Sequence, residues 1–247
     1  MLTQRRPTEF PDNGNLAANL AADGFVYLGP DAMQQRLGTS ALSGWPRFAS
    51  TWSTLEKDAY MRDGGEYRRR RHAVFRSFDG GIERQPDRPH YQAKAFNHLN
   101  GGIDRPFASV TSDVASDPLT LKILTAFLPA FEECRGDLAA SAWAIELHQF
   151  RIEVTGQDYG LPTPEGMHRD GVDWVVMMLV SRENVAGGLT TIVDDTGSAV
   201  AQLQMRQPME TIVVDDHRLQ HGVSPITAVD PAFVGFRDIL VATYSVS

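Results

Sequence analysis

The chain has one cysteine, Cys134, among 247 residues, so no intrachain disulfide can staple it. That usage fits a reducing compartment, and Cys134 reads as a small buried hydrophobe in a helical stretch with Leu128 and Phe131. No apolar run approaches the roughly 18 residues a transmembrane helix needs. Met1 to Arg6, followed by Pro7, Glu9 and Asp12, has no apolar core of a secretory signal. These absences point to the cytoplasm. Positive charge is not in excess either: 23 Lys and Arg face 31 Asp and Glu, for a net charge of −8. That balance argues against nucleic acid and anionic membrane as partners. Internal repeats and low-complexity tracts are missing too. What remains is an ordinary globular composition, long enough to bury a core without disulfides.

The elements that are present divide the chain in two. Asn15 to Ala22 predicts a helix that Gly24 ends, Phe25–Leu28 a strand stopped by Gly29 and Pro30, and 31–37 a second short helix. Residues 38–65 are mixed, residues 66–78 read as a strand, and 79–90, rich in Gly, Pro and charge, as a loop. Asp117 as N-cap, Pro118 at the first helical position and Gly136 as the stop predict one helix over Pro118 to Arg135. From 141 onward short strands follow one another at 142–154, 172–181, 189–194, 198–205, 210–215 and 237–246, with turn residues between them. This pattern predicts a single domain spanning 1–247. A helix-rich buttress with edge strands would occupy 1–140 and an all-β core 141–247.

The chemistry concentrates in the second part. His168, Arg169 and Asp170 form an H-x-D triplet, and His221 lies downstream. Two imidazoles and one carboxylate are the ligand set of a facial iron(II) site with open positions. Arg237 opens an apolar run, and a planar guanidinium there would match a carboxylate bidentately. With seven histidines and 31 acidic residues, a lone H-x-D is a weak signal. Gly166 and Gly171 around it, and the apolar run Val172 to Val180 after it, put the triplet on a turn feeding a buried strand. Ordinary alternatives exist: His168 capping a turn, Asp170 bonding a backbone amide, His221 a satisfied half-buried imidazole. His217 competes with His221. A kinase catalytic loop is excluded, because Trp174 and Val175 stand where its asparagine would and no D-F-G follows.

The run Glu165-Gly166-Met167-His168-Arg169-Asp170-Gly171-Val172-Asp173, with Arg182 to Val185, Gly187-Gly188, His221 to Ile226 and Phe236 to Leu240, resembles a bacterial branch of the iron(II)/2-oxoglutarate-dependent dioxygenases. That branch contains free L-amino acid hydroxylases, acting on isoleucine, leucine or methionine, and proteins named for effects on biofilm and stress. The resemblance covers about 145–247 closely and extends more loosely to Tyr67 to His72. It implies a double-stranded β-helix (jelly roll), mainly β with α, buttressed by N-terminal and central helices. It implies His168, Asp170 and His221 as iron ligands, His221 in preference to His217 because Val223 and Pro225 match the family pattern. It implies Arg237 as the residue holding 2-oxoglutarate, with O2 as the oxidant. Many members of the wider superfamily carry a serine two residues after that arginine; here the position is Ile239.

The expected reaction is hydroxylation of a small substrate, a free or N-modified L-amino acid, with release of succinate and CO2. An arginine would read its carboxylate. In a strand, Arg68 and Arg70 share one face and Arg69 and Arg71 the other, so one pair can face the barrel mouth; Arg169 is a further candidate. A solvated edge strand would also explain that charge run. Asp173 or Glu146 would read the amine. Trp174 either walls the site or packs in the core, and His148 and Phe150 either line a pocket or pack. Two other functions use the same fold. A cupin-type metal-dependent hydrolase or isomerase would need no 2-oxoglutarate, and the absence of an H-x-H pair weighs against it. A non-catalytic regulatory or biofilm-related binding protein would have no use for a complete ligand set with an arginine. The partner is a small molecule, and the sequence leaves homo-oligomerisation open.

Overall fold

Strands that alternate strictly between two environments build this molecule. The computed structural model describes residues 15–38, 42–78, 81–136 and 142–246; the expected absence of a signal at Met1 to Asp12 lies outside them. Seven strands form the main sheet. They are β1 (Phe25–Leu28), β2 (Arg68–Phe78), β3 (Gly81–Arg84), β4 (Trp143–Val154), β6 (Trp174–Glu183), β10 (Thr211–Asp215) and β13 (Gly235–Val246), in the order β1-β10-β6-β13-β4-β2-β3. Two three-stranded sheets complete the roll. One is β11-β8-β9, from β8 (Thr190–Val193), β9 (Ala199–Leu203) and β11 (Gln220–Val223); the other is β5-β12-β7, from β5 (Tyr159–Gly160), β7 (Val185–Gly187) and β12 (Ile226–Ala228). All pairings are antiparallel.

The six strands expected from 141 onward all form, within a few residues of their anticipated ends. Four short ones, β5, β7, β11 and β12, were not expected as strands: two or three residues carry no readable period, and the four of β11 include a glycine. The jelly roll draws strands from both halves of the chain. β1 pairs with β10 and β2 pairs with β4, each over a sequence separation that no local pattern reports.

One face of the large sheet is oily. Trp143, Ile145 and Leu147 of β4, with Leu240, Ala242 and Tyr244 of β13, pack on the helices. These are α1 (Leu16–Asp23), α2 (Pro30–Leu37), α3 (Trp45–Ser50), α4 (Ser112–Ala115), α5 (Pro118–Thr125) and α6 (Leu128–Arg135). Asn15 caps α1 through Ala18 N at 2.9 Å, and Asp117 caps α5 through Leu119 N at 2.9 Å, each contributing about 1 kcal/mol. Phe131 sits at the centre, stacked on Trp174 at 4.8 Å and edge-on to Tyr244 at 5.0 Å. Truncating it to Ala would cost about 3–5 kcal/mol. Trp174 thus belongs to the core, the second of its two expected roles.

The single helix expected over 118–135 is two helices, α5 and α6, breaking at Phe127. Pro129 is the reason. In a continuous helix its ring would meet the Thr125 carbonyl and it has no N–H to donate there, whereas in the first turn of a new helix neither matters. The loop expected at 79–90 contains β3, which pairs Gly81–Arg84 with Phe75–Phe78 of β2; the residues joining the two strands lie outside the described part. Nor is the arginine run an edge. β4 pairs along one side of Arg68–Arg71, while Arg70 N donates to Glu56 O and Asp58 N to Arg68 O on the other.

Candidate active site

The opposite face of the same strands is a wall of functional groups. Ala144, Glu146, His148, Phe150 and Ile152 of β4, and Arg237, Ile239, Val241, Thr243 and Ser245 of β13, all face a cavity of about 430 Å³. Both sets follow the period of two that a pleated strand imposes. Arg68 and Arg70 of β2 line it too. Arg69 and Arg71 point to the other face, paired with Glu153 at 2.6 Å and Glu56 at 2.8 Å, so the alternation read from the sequence holds.

His168, Asp170 and His221 converge at one end of this cavity, their ligand-capable atoms all within 4.8 Å of one another. Backbone pairing makes the junction. His168 N donates to His221 O and His221 N to His168 O, both at 3.0 Å, a hydrogen-bonded antiparallel pair that sets the two rings 4.5 Å apart. His168 Nε2 lies 3.8 Å from Asp170 Oδ1, and His221 Nε2 lies 3.7 Å from Asp170 Oδ2. The His168 Nδ1–H donates to the Gly166 carbonyl at 3.0 Å, which turns Nε2 toward Asp170; burial lowers the His168 pKa, but Asp170 and then Glu165 outweigh it and raise it. His221 is pushed down to about 3 by burial and then by His168 beside it, so it is a neutral imidazole, the form that ligates metal. Its buried Nδ1 has no partner.

The ligand turn is held from behind. The buried Asp216 carboxylate accepts the backbone N–H groups of Asp170 at 3.1 Å, Gly171 at 2.7 Å and Val172 at 3.0 Å. Gly171 has a φ of +81°, and a Cβ there would stand 2.5 Å from the Phe96 ring, so only glycine fits. Gln92 holds the ligand from the side. Its Nε2 donates to Asp170 Oδ1 at 3.1 Å and to the Asp170 carbonyl at 3.3 Å, while its Oε1 accepts from Asn97 at 3.1 Å and Arg105 at 3.4 Å. Sequence reasoning missed Asp216, Gln92 and Arg105. The last two lie in the irregular stretch 85–107, where no period or motif singles them out.

Arg237 stands on β13 just before a bulge at Asp238/Ile239, which re-aims the strand. It is 3 % exposed, its buried Nε has no hydrogen-bond partner, and it forms no ion pair with a described residue. Burial, and then nearby Arg182, push it down to about 9. Gly188 makes the room: its φ is +75°, and a Cβ there would stand 3.3 Å from Arg237 Cδ. A buried guanidinium with an unmet donor is costly, and an anion entering the cavity would satisfy it. Ile239 faces the same space with no hydroxyl to offer.

The far end is dense with charge. Arg68 pairs with buried Asp58 at 2.7 Å. Arg70 lies between two rings, 3.5 Å from the Phe107 centroid and 4.4 Å from that of Phe150, a cation–π arrangement. Its Nη2 reaches His148 Nδ1 at 2.9 Å. Glu146 accepts from His90 at 2.6 Å, His72 at 3.1 Å and Arg88 at 3.2 Å. Burial would raise its pKa, but His72 and His90 hold it well below the usual carboxylate range. His72, His90, Glu146 and His148 are spaced like a metal site. Hydrogen bonding argues otherwise. Arginine only donates, so His148 Nδ1 accepts and its Nε2 carries the proton toward Glu146. The cluster is a carboxylate cradled by N–H groups.

The other sequence candidates lie elsewhere. Arg169 is paired with Asp195 on the outside. Asp173 accepts from His217 at 2.7 Å and from Val246 N at 2.8 Å, which takes both residues away from the triad. Glu146 is on the cavity with its oxygens already taken. His148 and Phe150 line the cavity and do not pack in the core. Among described residues no helix is long and apolar enough to cross a membrane.

Known proteins resemble this chain in sequence and fold. The model of a family of 2OG-Fe dioxygenases matches residues 49–243. An L-isoleucine-4-hydroxylase of Bacillus thuringiensis is 27% identical over 201 residues, covering 77% of this chain and 78% of that one. The crystal structure of a bsmA homolog from Methylobium petroleophilum superposes with a TM-score of 0.84 at 34% identity, over 95% of this chain and 93% of that one. The structure of IDO from Bacillus thuringiensis superposes with a TM-score of 0.77 at 20% identity, over 94% of each, a likeness of fold.

Proposed function

The chain belongs to the 2OG-Fe dioxygenase family, and from that premise we propose that it hydroxylates a small L-amino acid in the cytoplasm, without nucleic acid or membrane as partner. Members of this family use iron(II), 2-oxoglutarate and O2. Bound together, these supply the oxidising power that replaces a C–H bond by C–OH as the co-substrate leaves as succinate and CO2. In this reading His168, Asp170 and His221 hold the iron. The donor set fits: two imidazoles whose Nε2 atoms face one carboxylate match the facial iron(II) triad. Arg237 takes the far carboxylate of 2-oxoglutarate, which satisfies its unpartnered Nε. Asp216 and Gln92 orient the ligand turn, and Ile152, Met177, Val223 and Ile239 keep water from the reacting centre.

The observation that carries the proposal is the conjunction of a backbone-paired His/Asp/His cluster with a buried, unpaired guanidinium on the same cavity. An amino acid as substrate rests on the Bacillus relative's name and on the cavity's chemistry: apolar walls for a side chain, and arginines, Arg68, Arg70 and Arg105, for a carboxylate. Arg169, Asp173 and Trp174 lie off the cavity and have no part in this reading.

Anaerobic titration of iron-loaded protein with 2-oxoglutarate, followed by the weak visible charge-transfer band of bidentate chelation, tests the site. The band should develop in the wild type and be absent in His221→Ala. A succinate-release screen over free and N-modified amino acids, with mass analysis for one added oxygen, tests the substrate class. Succinate released only with substrates that are not amino acids would overturn it.

A further inference from the structure

The polar atoms that the cavity leaves unpartnered are a negative image of what binds there. A buried donor or acceptor without a partner costs roughly 1–3 kcal/mol, and more when charged, so such atoms persist where a ligand completes them. Six lie on residues lining this cavity; Arg68 Nη2 is 2.7 Å from the Asp58 carboxylate and His221 Nδ1 belongs to the triad, which leaves Arg237 Nε, Arg70 Nε, Arg105 Nε and Glu165 Oε2. Three are donors. The first is accounted for by 2-oxoglutarate. The other two belong to the substrate end and suit a carboxylate.

Glu165 is the one acceptor, and nothing yet explains it. Its side chain is nine-tenths buried. No described residue donates a hydrogen bond to it. His168 Nε2 lies 3.6 Å from Oε1, but it is the nitrogen that would bind iron, so in the loaded enzyme it has no proton to give Glu165. Glu165 and Arg105 line the same cavity, and the carboxylate favours the charged form of the guanidinium. Glu146, the other carboxylate expected to read an amine, already accepts from two imidazoles and a guanidinium. Asp173 is engaged outside the cavity. Glu165 is therefore the carboxylate with free capacity where a substrate sits.

We propose that Glu165 accepts the substrate's α-ammonium group, opposite arginines that take its carboxylate, so the enzyme requires an amino acid with a free, charged amine. This rests on the reading of the protein as an amino acid hydroxylase and narrows it, because an N-acylated amine brings no positive charge and one N–H at most. A site built around a buried charged acceptor strongly rejects analogues that leave that acceptor unpaired.

The test uses the iron- and 2-oxoglutarate-loaded protein with three probes: L-isoleucine, N-acetyl-L-isoleucine and the des-amino acid 3-methylpentanoic acid. Binding is measured by anaerobic calorimetry, and turnover by succinate release and product mass. The wild type should favour the free amino acid over both analogues by about a hundredfold or more. Glu165→Gln keeps the shape and removes the charge. It should weaken binding of the free amino acid at least tenfold, collapse the preference over the des-amino acid and raise KM more than it lowers kcat, with iron(II) affinity unchanged. Glu165→Asp should restore part of the preference. An undiminished preference in Glu165→Gln would overturn the inference while leaving the hydroxylase reading intact, as would a wild type that prefers the acetylated or des-amino probe. A parallel loss of iron(II) affinity would make Glu165 part of the metal site and overturn it too. No binding or turnover of any probe by the wild type would instead count against the amino acid reading itself.

Discussion

The two ends of the cavity are built by opposite rules. At the triad end the side chains are left open: His221 Nδ1 and Arg237 Nε have no partner, and backbone pairing with the Asp216 cap does the positioning. At the arginine end most charges are already answered within the protein, Arg68 by Asp58 and Glu146 by His72, His90 and Arg88. The contrast separates scaffold from site. A buried charge that is paired holds the wall in place, whereas one left unpaired marks where something else must come.

The largest test of that contrast removes a ligand at the open end. Asp170→Ala should abolish succinate formation and the chelate band while thermal unfolding shifts by a few degrees at most, because the turn is held by Asp216 through the backbone. Full turnover in this variant would remove the distinction altogether. Next comes Arg237→Ala. Losing a buried charge partner typically costs about 2–5 kcal/mol, so 2-oxoglutarate affinity should fall by roughly 30-fold to several thousandfold with iron(II) binding preserved. An unchanged KM for 2-oxoglutarate would show that the unpaired guanidinium serves something else.

The paired end should respond in stability. Burial pushes His90 down to about 4, below its unfolded value of about 6.5. The unfolded chain then binds more protons between those values, so the contribution of His90 is complete above about pH 6.5 and is lost as pH falls toward 4. The amount is on the order of 3 kcal/mol. Chemical denaturation across that window should show the loss in the wild type and a flatter profile in His90→Gln; equal slopes would mean that the imidazole is not held neutral. The smallest effect lies where the two ends meet. Gln92→Leu should weaken iron(II) binding roughly tenfold with little change in 2-oxoglutarate affinity at saturating metal, and no change would reduce Gln92 to packing.

Legibility followed distance along the chain. The H-x-D turn and its strand could be read because both histidine and aspartate lie within one local segment, and Arg68 and Arg70 because alternation along a strand is local. Glu165 stood three residues before His168 in the same run and was passed over, since nothing in its neighbours says that its carboxylate is buried without a donor. Gln92 and Arg105 had no signal, because their meaning arises from contact with residues dozens of positions away. The helix over 118–135 failed for a local reason: apolar spacing continued across Pro129, and the missing N–H outweighed it.

By itself the sequence determined the periods of its strands, the caps and stops of its helices and the composition of the ligand set, all of which depend on neighbours a few residues apart. Only the tertiary structure decided which arginine is left without a counter-charge and which carboxylate is left without a donor. Those outcomes depend on the pairing of β2 with β4 and of β13 with β6, and whether a polar group is satisfied is a property of the space around it, which the order of residues does not contain.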